Sequence, residues 1–282
     1  MSEADNNQLA DKSFWGHLDD LRKVLFKMAG VLVVFMVVFF INMPYIFDHI
    51  IMGPCHGDFV LYRFFAFVTR RFPDFPQFST EGFEVKVINI NLATQFFTHL
   101  STSFWLALTF SFPFMLYFLW SFIKPALYDN EIKGARTAFL FGSIMFFVGI
   151  AVGYFLIFPI TLRFLYEYQL SATIENQLSL NSYMDTFLML IFLMGLMFEL
   201  PLLAWTLSAV GFLKRKMLCR YRRHAVVVLL VLAALITPTG DPFTLSLVFL
   251  PLYLLYELSI LIVRKKLKDT ALSAVSRYFS SD

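Results

Sequence analysis

Long apolar runs recur along the chain, broken by short polar segments in which Lys and Arg gather. About twenty apolar residues in a helix cross the ~30 Å hydrocarbon core of a bilayer. On that rule the runs predict six transmembrane helices, over residues 24–45, 96–123, 137–166, 183–212, 225–236 and 243–263. The fifth and sixth are short. The fifth, AVVVLLVLAALI, cannot reach across a standard bilayer and implies local thinning or cover by neighbouring helices. Pro113, Pro159, Pro201 and Pro251 fall inside spans, where each removes a backbone donor and favours a kink or break.

Outside the spans the pattern changes. Residues 1–23 form a polar, amphipathic approach in which Phe14, Leu18, Leu21 and Leu25 share one helical face, opposite Gly16, Asp19, Asp20 and Lys23. The first outer loop, about 46–95, holds FVLYRFFAFVTRRF, too short and too charged at Arg63 for a span and suited to an interfacial helix. FEVKVINI after it alternates β-branched residues and predicts an extended segment. A polar, basic tail occupies 264–282. The whole chain is therefore expected to be one membrane domain, an all-α helical bundle.

Composition agrees: of 282 residues 59% are hydrophobic and 15% charged, with a mean hydropathy of +0.69. Thirty-six Phe suit surfaces that meet acyl chains, and a net charge of +3 gives no reason to expect nucleic acid. The first apolar run exceeds a signal-peptide core and reads as a retained span. Charge placement orients the bundle: Arg22, Lys23, Lys27, Lys124, Lys133, Arg136, six cations between Lys214 and Arg223, and the basic tail all fall on one side. That side is expected to be cytoplasmic, with both termini on it. Cys55 and Cys219 then lie on opposite faces and cannot pair.

The acids are the candidate chemistry. Asp19 stands four residues before Lys23 and predicts an i,i+4 pair worth a few tenths of a kcal/mol. Asp129, Asn130 and Glu131 precede the third span as helix-start residues facing the positive end of a dipole. Glu199, in LMGLMFELPLLAW, is different: a mid-span carboxyl costs on the order of 3 kcal/mol and by default marks a functional site. The other reading is structural, a hydrogen bond to the carbonyl freed by Pro201. Asp241, among Pro238, Gly240 and Pro242, reads as a turn residue capping the last helix. Glu257 reads as interfacial, within reach of Arg264.

Other classes find no support. G-x-S-x-G, H-E-x-x-H, a pair of intramembrane aspartates and the phosphate-binding G-x-x-x-x-G-K-[ST] are all missing, so neither an enzyme nor a cofactor is expected. His49, Cys55, His56 and Asp58 match no standard metal spacing. A proton-coupled small-solute transporter using Glu199 is the alternative, weakened by the lack of an internal repeat.

Five short motifs then fall into one order: HLDDLRK before the first span, FIKPALYDNE after the second, FFVGIAVGYFLIFP in the third, FELP in the fourth and TP..D after the fifth. Together they resemble the TatC family, receptor subunits of the twin-arginine protein translocase. The resemblance implies a concave, glove-like bundle in the bacterial cytoplasmic membrane. It would bind twin-arginine signal peptides of folded cargo, with export driven by the proton motive force. It implies that Asp20, standing where the family usually has Glu, and Glu131 hold the arginines, while Phe122 and Leu127 receive the apolar part of the peptide by position. Glu199, Tyr154 and Asp241 are the intramembrane, translocation-linked candidates. Expected partners are TatA- and TatB-type single-span subunits, cargo signal peptides, membrane lipid and a second copy of the chain.

Overall fold

The computed structural model describes residues 14–71, 82–124, 129–171, 173, 176–209, 212–237 and 240–263. Among the described residues are ten α-helices: α1 Phe14–Ile46, α2 Val60–Arg71, α3 Thr94–Ile123, α4 Asp129–Val152, α5 Phe158–Glu167, α6 Leu180–Met197, α7 Leu200–Ala209, α8 Arg215–Arg220, α9 Arg222–Ile236 and α10 Pro242–Ile262. The protein is an all-α membrane protein. Among the described residues five stretches are long and apolar enough to cross a bilayer, Leu18–Cys55, Thr94–Phe122, Phe139–Glu167, Leu180–Ser208 and Pro242–Ile262. The fifth expected span is α9, whose 15 residues reach only about 22 Å. The sixth, α10, has 21 residues, fewer than the 29 of the three stretches before it yet enough to cross.

α1 contains Pro44 near its end, and the other four in-span prolines divide. α3 runs through Pro113 and α10 through Pro251 without interruption, because a membrane helix can lose one backbone bond and remain helical. At Pro159 and Pro201 the helix changes form. A π-helical turn, Gly153–Ile157, precedes Pro159, and a turn at Phe198 and Glu199 separates α6 from α7 just before Pro201. Each proline sits in the first turn of the following helix, where its missing N–H costs nothing.

The chain divides into two compact units. In the first, residues 1–43 and 99–143, α1 meets α3 through aromatic rings: Phe35 on Phe114 at 5.7 Å and Phe39 on Phe110 at 5.0 Å. His99 stacks on Phe40 at 4.2 Å, and its Nε2 lies 2.9 Å from the Phe40 carbonyl. Val33, Val34, Val37 and Ile41 of α1 are exposed, as suits side chains that meet acyl tails.

The second unit comprises residues 44–98 and 144–282. Here the loop after α1 folds into a π-helical turn, Phe47–Ile51, and a short 3-10 turn, Gly53–Cys55, before α2. The extended segment expected around 83–90 is present: β1, Val87–Ile88, pairs in parallel with β2, Leu178–Ser179. Val85 N–H also donates to the Cys55 carbonyl at 3.0 Å. Ser179 goes on to cap α6, accepting from Ser182 N–H at 3.3 Å.

Candidate functional site

The intramembrane site is built where α4 and its π-helical continuation cross α6. Gly149 and Gly153 stand four residues apart, a small-x-x-x-small spacing that lets two backbones approach. A Cβ on Gly149 would lie 2.7 Å from the Met194 carbonyl and 2.9 Å from the Cα of Gly195. One on Gly153 would lie 3.2 Å from the Ile191 Cα, and one on Gly195 2.9 Å from the Phe146 ring. Three glycines thus fix the crossing from both sides. FFVGIAVGYF carries this spacing openly, and it is the signal that marks the crossing in the sequence.

Directly after the crossing the chain turns and presents Glu199. Its backbone is satisfied, the N–H donating to the Leu196 carbonyl at 3.1 Å and the carbonyl accepting from Leu203 at 2.9 Å. The side chain is 8% exposed, and Oε1 has no hydrogen-bond partner among the described residues. The structural alternative, a bond to the carbonyl freed by Pro201, is therefore not formed. A buried carboxyl oxygen without a partner is costly and marks a place where water, a proton or a ligand group would be held.

Tyr154 donates its hydroxyl to the Ile50 carbonyl, in the segment after α1, at 2.7 Å. Tyr183 of α6 donates a short bond to the neighbouring Ile51 carbonyl. Both carbonyls belong to the π-helical turn at 47–51, so the turn is tied down from two helices. Tyr62 of α2 completes the fastening, donating to the carbonyls of Pro54 at 3.1 Å and Pro159 at 3.0 Å. Burial pushes the Tyr62 phenol well above its usual range, with Arg163 opposing the shift, so it stays a donor. Arg163 lies over the Tyr62 ring at 5.5 Å and the Phe83 ring at 4.8 Å, while its Nε pairs with Glu167 at 2.8 Å. The described residues 47–62 after α1 are thus pinned. Nothing in the local pattern of residues 46–71 singles out Tyr62, because its partners lie up to 97 residues away.

Asp241 is an N-cap: its Oδ1 accepts from Thr244 N–H at 2.7 Å, with Pro242 in the first turn of α10. Glu257 pairs with Arg222 of α9 at 2.8 Å and accepts from Tyr253 at 3.2 Å. Its described partner is thus the neighbouring helix; Arg264 lies outside the described residues.

The arginine-binding candidates belong to the first unit. Lys23 Nζ lies 2.6 Å from Asp19 and 4.0 Å from Asp20, so the expected i,i+4 pair forms and Asp20 is the looser partner. The Asp20 side chain is 38% exposed. Phe122 is half-buried near the end of α3. Glu131 falls in the first turn of α4; its side chain, and Leu127, lie outside the described residues.

Comparison with known proteins decides the family. The model of Sec-independent protein translocase protein (TatC) matches residues 16–251. The chain belongs to the TatC family. Among the relatives, the Sec-independent protein translocase protein TatC of Blattabacterium is 32% identical over 257 residues, covering 91% of this chain and 96% of its own. That of Deinococcus radiodurans is 31% identical over 258 residues, covering 91% and 87%. A crystal structure titled twin arginine translocase receptor TatC superposes with a TM-score of 0.68 at 26% identity, covering 88% of this chain and 98% of that one. The protein is thus a multi-pass membrane component of a Sec-independent protein translocase.

Proposed function

We propose that this TatC-family protein is the signal-peptide receptor and core subunit of a twin-arginine translocase in a bacterial cytoplasmic membrane, with both termini cytoplasmic. The family match across residues 16–251 carries this reading, and the similarity to a solved twin-arginine translocase receptor supports it. Asp20 and Glu131 each accept a guanidinium of the signal peptide's arginine pair. A carboxylate takes the planar arginine fork through two parallel, charge-assisted bonds, which the point charge of lysine cannot reproduce. Phe122 and Leu127 receive the apolar stretch of the peptide. Single-span TatA- and TatB-type subunits assemble with the receptor, and the proton motive force drives export.

Glu199 acts at a later stage. Its buried, unpartnered Oε1 supports a role in transport after docking, within a site whose shape depends on the glycine crossing and on Tyr154. Asp241 serves by fixing the start of α10.

Site-specific crosslinking from the arginine region of a signal peptide tests the reading. An Arg-Arg peptide should crosslink near residues 20 and 131 and a Lys-Lys peptide much less; equal crosslinking of the two removes the proposed arginine site. Reconstituted protein that takes up a small solute with no signal peptide present would instead support a proton-coupled transporter.

A further inference from the structure

A second concavity opens where α7, α8, α9 and α10 meet. It has a volume of about 540 Å³, within the ~300–1,000 Å³ common for small-molecule pockets. Leu203 and Leu207 of α7, Val228 and Leu232 of α9 and Met217 of α8 line it, and almost the whole wall is apolar. Tyr256 stiffens the floor by donating to the Leu218 carbonyl at 2.8 Å.

The segment that forms the rim, between the lining residues Leu213 and His224, has the opposite character in sequence. Residues 214–223 carry six cations, Lys214, Arg215, Lys216, Arg220, Arg222 and Arg223, and no acid. Arg222 is neutralised by Glu257 at 2.8 Å. The Nε of Arg215 is buried without a hydrogen-bond partner among the described residues. A buried guanidinium nitrogen left without an acceptor, on a residue two positions from the trough-lining Leu213 and Met217, is an incomplete arrangement, and an anionic oxygen would complete it.

The geometry points to a binding site for an anionic phospholipid, with an acyl chain in the trough and the phosphate on the Arg215–Arg220 cations. A transmembrane helix fits less well. It brings no anionic oxygen to the basic residues of this segment, whereas a phospholipid brings an acyl chain and a phosphate together. Basic residues at the end of a membrane helix attract anionic headgroups by about 1 kcal/mol each, so the rim supplies selectivity that the apolar wall cannot.

The test labels the intact, detergent-solubilised protein with phosphatidylglycerol carrying a diazirine in its acyl chain, using the matching phosphatidylcholine for comparison. Labelled peptides should map to residues 200–207 and 217–232, with phosphatidylglycerol clearly preferred. In the double variant Arg215→Gln, Arg220→Gln that preference should fall by about tenfold while helical content stays unchanged. Label elsewhere, equal labelling by the two lipids in the unaltered protein, or an undiminished preference in the variant overturns the proposal. So does a single-span partner that excludes the label and crosslinks to residues 200–207 and 217–232 itself, which would give the trough to a helix.

Discussion

Tyr154 Oη donates a 2.7 Å hydrogen bond to the carbonyl of Ile50, 104 residues earlier in the chain. Tyr183 does the same for Ile51, 132 residues away, so two membrane helices hold one π-helical turn by its carbonyls. π-Turns are uncommon and occur most often at functional sites. Here both examples, 47–51 and 153–157, belong to the same fastening.

Removing either hydroxyl leaves a carbonyl without its donor. Tyr154→Phe and Tyr183→Phe should each lower stability by about 1–3 kcal/mol. The check is thermal unfolding in detergent together with hydrogen exchange across residues 47–55; unchanged melting and unchanged protection would show that the bonds carry no weight.

The glycine crossing gives a prediction with an internal control. Gly149→Ala should destabilise by about 1–3 kcal/mol, because its Cβ meets the Met194 carbonyl at 2.7 Å. Gly30→Ala, in α1 with nothing within 4 Å, should be neutral or raise stability by up to about 1 kcal/mol through helix propensity. Comparing the two melting temperatures settles the matter: equal shifts would mean that close approach at Gly149 is unimportant.

For the arginine site, Asp20→Lys and Glu131→Lys should each weaken binding of a twin-arginine peptide by about tenfold or more, since each loses a charge-assisted pair and adds repulsion. Asp19→Asn should change it little, because Asp19 is engaged with Lys23 at 2.6 Å. Peptide titration against the purified variants measures all three, and an Asp19 effect as large as that of Asp20 would reverse the assignment.

Glu199 and Asp241 should separate function from stability. Glu199→Ala removes a buried, unpartnered carboxyl, so folding and peptide docking should persist while transport fails. Asp241→Ala removes a helix cap and should cost about 1 kcal/mol of stability with transport largely kept. Export of a folded cargo, measured beside melting temperature for both, distinguishes these outcomes; full transport with Glu199→Ala would refute its role.

Much of this architecture was open to reading from one dimension. Apolar run length gave the long membrane helices and the short α9, because a bilayer demands a fixed number of residues whatever the tertiary contacts. The Asp19–Lys23 pair and the Asp241 cap followed from spacing, since both are local. Glu199 stood out because a carboxyl at that depth is rare. Proline was less informative: α3 and α10 pass through theirs, while the turns at Gly153–Ile157 and at Phe198 and Glu199 coincide with theirs. The residue type is the same in all four, so the outcome depends on what packs around each.

The tertiary structure alone decided the rest. It gave the Tyr154 hydroxyl a partner in the Ile50 carbonyl and Glu257 a partner on α9. It also left the Arg215 Nε buried without a partner among the described residues and opened an apolar trough between α7, α8, α9 and α10. The physical reason is common to all of these. Local pattern, length and capping depend on neighbours in sequence and on the solvent, whereas a hydroxyl, a guanidinium or a carboxylate is satisfied by whichever distant backbone or side chain the packing delivers.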